Sequence, residues 1–134
     1  MSRIATAAAI AIAVIACTTA LAAAALSGTY NATITGSGAL NGSWSLAFSG
    51  SKYTITFKGA TAVNGAFTQS ANRITFSDRN GKYACPGTKG VYSYSLSGRT
   101  LKFTRVSDAK CAGRRAVLAA TFTKKFKSSS NGGY

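Results

Sequence analysis

Between Tyr30 and Phe122, large apolar residues alternate with Ser, Thr and Lys over short stretches, and Gly or Asn interrupts the alternation at nearly every turn. A period of two is the mark of strands buried on one face, and the interruptions supply the turns between them. One face reads Tyr30, Ile34; Trp44, Leu46, Phe48; Tyr53, Ile55, Phe57; Val63, Phe67; Ile74, Phe76; Tyr92, Tyr94, Leu96; Leu101, Phe103; Leu118, Phe122. The pattern predicts about eight strands, near residues 29–36, 43–49, 52–58, 61–69, 72–77, 90–96, 100–106 and 115–124. Turns are expected at Asn41-Gly42, Gly50-Ser51, Ala71-Asn72, Asn80-Gly81 and Gly98-Arg99. Residues 27–124 show no sustained three-to-four spacing of apolar positions, so no helix is expected there.

A weak internal repeat sharpens the topology. Gly42-x-Trp44, Gly65-x-Phe67 and Gly90-x-Tyr92 each open a strand whose hairpin partner carries Ile55-x-Phe57, Ile74-x-Phe76 or Leu101-x-Phe103. Three similar hairpins imply one sheet curling onto itself, and closure removes the exposed edges that Thr-rich strands would otherwise present. The fold class expected is all-β, a single antiparallel up-and-down barrel behind an N-terminal signal segment. The domain reading is a signal over residues 1–26, a barrel over 27–124 and a flexible basic, Gly/Ser-rich tail over 125–134.

After Arg3 the N-terminal stretch is uncharged and apolar, which reads as an export signal. Two processing routes stand open. Val14-Ile15-Ala16-Cys17 matches a lipobox, which would leave a lipidated Cys17 as membrane anchor. Cleavage at a small-x-small site such as Ala20-Leu21-Ala22 would instead release the domain, and an uncleaved anchor is a third outcome. The expected location is exported: periplasmic, extracellular or lipid-anchored. Either cleavage leaves Cys85 and Cys111 as the two cysteines of the folded part, the obvious disulfide in an oxidising compartment. Cys85-Pro86-Gly87-Thr88 is no CxxC motif, and two Cys with no His make a poor metal site.

The run Ile74-Thr-Phe-Ser-Asp78, Ala84-Cys-Pro-Gly87, Gly90-Val-Tyr-Ser-Tyr-Ser-Leu96, Leu101 to Asp108 and Cys111-Ala-Gly-Arg-Arg-Ala-Val117 resembles small exported bacterial lipocalin-like (calycin-type) barrels. The resemblance spans roughly residues 28–124 and implies a fold and an address rather than a reaction. It also implies a Trp stacked on an Arg at the closing end, for which Trp44 and Arg114 or Arg115 are the matching positions. Trp44 here falls on the second strand, not the first.

Composition then bounds the function. The chain holds 16 basic residues against two acidic ones, Asp78 and Asp108; without Arg3 the net charge is +13. So strong an imbalance points to anionic surroundings or partners. The basic residues are spread over outward positions and turns while the rings face inward, which argues against a dedicated nucleic-acid site. With no His, no Glu and both Asp in expected turns, no general acid/base pair is evident; the protein is read as non-enzymatic, with no cofactor and no metal. The aromatic interior is either a filled core or a ligand chamber. In the chamber reading Trp44, Tyr53, Phe67, Tyr92, Tyr94 and Phe103 line it and bind a small apolar or amphiphilic, anionic ligand. Strict alternation points Arg105 inward as a polar anchor; a strand end or bulge would put it at the rim instead. The rival is a solid-cored basic envelope protein that holds anionic polysaccharide, lipid head groups or nucleic acid on its outer face.

Overall fold

The computed structural model describes residues 8–13 and 25–126. Eight strands form one closed antiparallel barrel in simple chain order: β1 (Gly28–Ile34), β2 (Gly42–Ser49), β3 (Lys52–Phe57), β4 (Ala60–Ser70), β5 (Arg73–Asn80), β6 (Lys89–Ser97), β7 (Thr100–Ser107) and β8 (Phe122–Lys124). Two-residue turns at Gly50–Ser51, Lys58–Gly59, Ala71–Asn72 and Gly98–Arg99 join four of the hairpins. Lys58 and Gly59 both hold positive φ (50° and 81°), the backbone that matches the right-handed twist of the flanking strands. The repeat seen in the sequence maps onto the hairpins β2–β3, β4–β5 and β6–β7. The barrel closes where Tyr30 pairs with Lys124 and Asn31 with Thr123.

The last expected strand is different. Residues 112–118 form a short helix, α1 (Ala112–Leu118), and only Phe122–Lys124 remain as strand. Arg114, Val117 and Leu118 are its buried residues, a spacing of three and four that sets one helical face inward. The absence of helix expected over residues 27–124 is corrected by this element, which packs on β7.

The interior is filled by interlocking rings. Phe76, fully buried, meets Phe48, Tyr53, Tyr92 and Phe103, and Trp44 stacks on Phe57 with centroids 4.1 Å apart. Offset and edge-to-face contacts of this kind add to the burial of the rings themselves. Leu26 also belongs to this core, its N–H donating to Gln69 Oε1 at 3.0 Å, so ordered packing begins just ahead of β1. Residues 8–13 are exposed without regular structure. Cys17 and residues 127–134 lie outside the described residues, and no helix among the described residues is long and apolar enough to cross a membrane.

Candidate functional site

Two glycines carve the polar centre of the barrel. Tyr53 pairs with Gly65, which pairs with Asp78, so the Tyr53 phenol crosses a strand with no side chain and donates to Asp78 Oδ1. A Cβ on Gly65 would lie 2.5 Å from the Tyr53 Oη. On the next hairpin Gly90 leaves the corresponding space: a Cβ there would lie 2.6 Å from Arg114 Nε and 2.7 Å from Asp108 Oδ2. Into the gap at Gly90 α1 sends Arg114. Its Nε and Nη2 donate to Asp108 Oδ2 and Oδ1, both at 2.8 Å, while Nη1 stands 3.2 Å from Asp78 Oδ1. Tyr92 donates its hydroxyl to Asp108 Oδ2, and the Cys85 N–H donates to Asp78 Oδ2 at 2.9 Å. One guanidinium thus bridges two carboxylates, each also held by a tyrosine.

Both Asp were expected in turns; both are buried, Asp78 on β5 and Asp108 in the connection just beyond β7. The electrostatics follow from the burial. Desolvation pushes the Tyr53 and Tyr92 hydroxyls well above their usual value, reinforced by hydrogen bonds to Asp78 and Asp108. Burial raises Asp108, but the hydrogen bonds from Arg114 and Tyr92 and the Arg114 charge outweigh it and hold its carboxyl below the ordinary range. For Arg114 burial works against the charge, and the two carboxylates overcome it.

Cys85 and Cys111 form the disulfide expected from the sequence, closing a sequence separation of 26 beside this network, with Cys111 at the N-terminal end of α1. The Asp78 carboxylate and both sulfurs fall within 4.8 Å of one another. The sulfurs are joined to each other and the carboxylate is engaged by Arg114, Tyr53 and the Cys85 N–H, so this donor set offers no free ligand atom for a metal.

The sequence candidates divide. Trp44, Tyr53, Phe67 and Tyr92 are buried and packed against other rings, with a cavity of about 20 Å³ between Trp44, Tyr83 and Arg114. That volume suits one water, not a small organic ligand. Trp44 and Arg114 line the same cavity, but Trp44 stacks on Phe57 and Arg114 pairs with carboxylates. Tyr94 is half-buried, donating to the Ala71 carbonyl at 3.2 Å and accepting from Gln69 Nε2. Leu96, assigned inward, is exposed.

Arg105 pairs directly with Tyr92 and so keeps the face of Tyr92 and Phe103 that alternation gave it, but it is exposed, at the rim rather than in the interior; the register shift between Val91 and Tyr92 falls just beyond it, at Val106. Its guanidinium makes no hydrogen bond or ion pair with the described residues. It stands at a cleft of about 240 Å³ lined by Tyr92, Phe103, Arg105, Arg115, Leu118 and Ala119. Three sequence candidates therefore converge there: Tyr92 and Phe103 give the floor and Arg105 the rim. Arg115 is fixed by Nη1 donating to the Asp108 and Ala109 carbonyls at 2.9 and 2.7 Å. Sequence reasoning missed the α1 wall of this cleft because it required a helix.

These features define a closed, disulfide-linked β-barrel with a buried ionic centre and a cationic cleft beside its only described α-helix. No protein-family model, curated protein or solved structure matches the chain.

Proposed function

We propose that this is an exported, non-enzymatic, lipocalin-like barrel that binds a small anionic amphiphile in the cleft between β6, β7 and α1. The observation that carries the reading is Arg105, a guanidinium with no hydrogen bond or ion pair to the described residues, at the mouth of an apolar-floored cleft. An acidic head group would bond Arg105 while a short tail covers Phe103 and Leu118. Export is supported by the disulfide, which suits a non-reducing compartment, and by the apolar N-terminal segment. A non-catalytic role is supported by the engagement of both carboxylates, which leaves neither as a free acid or base.

A second reading rests on a separate observation. The chain's two acidic side chains are both buried, so every charged side chain on the described surface is a Lys or Arg. Such a face attracts anionic polymers or head groups without a specific site. Calorimetric titration with octanoate and its uncharged methyl ester distinguishes the two readings. Arg105→Ala should weaken octanoate about tenfold or more, to the level of the ester. Equal octanoate affinity for the wild-type protein and the variant would sink the cleft reading. Steeply salt-dependent binding of a polyanion that ignores Arg105 would favour the second.

A further inference from the structure

Away from the cleft, the outer face of the barrel carries an uncharged polar row. The strand registers bring Thr100 opposite Thr123, Thr123 opposite Asn31, Asn31 opposite Ser45, Ser45 opposite Thr56 and Thr56 opposite Thr61. Six strands thus present one hydroxyl or amide each, side by side, across the β8–β1 seam and over a span of about 24 Å. Four of the six, Asn31, Ser45, Thr56 and Thr123, line a groove of about 510 Å³, where Thr33 and Ser43 add a second pair. No Lys or Arg lines this groove, although the remaining surface is densely cationic. It shares no residue with the cleft.

We infer that this groove is a binding site for a neutral polysaccharide chain. Every side chain of the row both donates and accepts hydrogen bonds, as each sugar hydroxyl does. The strand-to-strand step of about 4.8 Å is close to the length of one pyranose ring, so successive rungs meet successive sugars of an extended chain. The absence of charge selects against anionic chains here, which the rest of the surface would attract. Trp44 lies beneath the groove with its ring buried, so recognition rests on hydrogen bonds alone and the affinity for a short oligomer is in the roughly millimolar range.

The test is a nuclear magnetic resonance titration of the full chain with cellohexaose and with N-acetylchitohexaose, mapping backbone amide shifts. Saturable shifts centred on Asn31, Ser45, Thr56 and Thr123, unchanged from low salt to roughly 0.5 M, are expected with at least one of them. Ser45→Ala and Thr56→Val should each weaken binding about fivefold. No shifts with either oligosaccharide, shifts centred elsewhere, or affinity untouched by both substitutions overturns the site. The wild-type map decides the matter even if a variant folds poorly, and failure here leaves the octanoate experiment unaffected.

Discussion

Arg114 is the residue on which the most interactions depend. It is buried with two carboxylates, and its removal leaves both negative charges without a counter-ion. Arg114→Met should therefore destabilise the fold by about 3–5 kcal/mol in chemical denaturation. Replacing all three groups together, Asp78→Asn, Asp108→Asn and Arg114→Met, should recover at least half of that loss, because the stranded charges go with it. A triple variant no more stable than the single one would show that the network contributes packing rather than charge balance. Asp78 was legible from the chain: alternation through Ile74 and Phe76 sets position 78 inward. Its turn-like neighbours Arg79, Asn80 and Gly81 obscured that signal. Arg114 was not legible, since nothing in the sequence says that Gly65 and Gly90 leave space for polar groups arriving from elsewhere in the chain.

At the scale of elements, the meander could be read because each hairpin is local and carries its own turn chemistry. Seven of the eight strands fall within a few residues of their expected places. The element that escaped is α1, seven residues long, with Gly113 as a poor helix former and a charged residue among its three buried positions. A buried Arg removes the apolar mark that a helical face would otherwise show. The disulfide fixes the start of this helix, and closing its loop contributes roughly 3.5 kcal/mol by chain entropy. Cys85→Ser/Cys111→Ser should accordingly lower stability by about that amount. Amide hydrogen exchange should show its largest increase in α1 and residues 81–88. A uniform loss of protection over β2 to β4 would contradict the assignment of the bridge to this end of the molecule.

For the whole molecule, pH reports on the buried centre from both sides. The folded Asp108 carboxyl lies below its ordinary value of 3.8, so its contribution is fully present above that value and is lost as pH falls through the lower folded one. Tyr53 and Tyr92 are raised above 10.0, so their contribution is complete below that value and declines as pH rises beyond it. The melting temperature should form a plateau between the two limits, falling below about pH 4 and above about pH 10. A steady decline beginning near neutrality would contradict it. Closure of the sheet has a consequence for how the molecule comes together. All the hairpin pairings are local, whereas the seam joins Tyr30 and Asn31 to residues more than ninety positions away through a strand of three residues. Forming the seam carries the largest loop-closure cost. Until Phe122–Lys124 dock, β1 and β7 are bare edges of an open sheet, and the outer polar row is split in two. The groove is therefore assembled only when the barrel shuts, and its integrity reports that folding is complete.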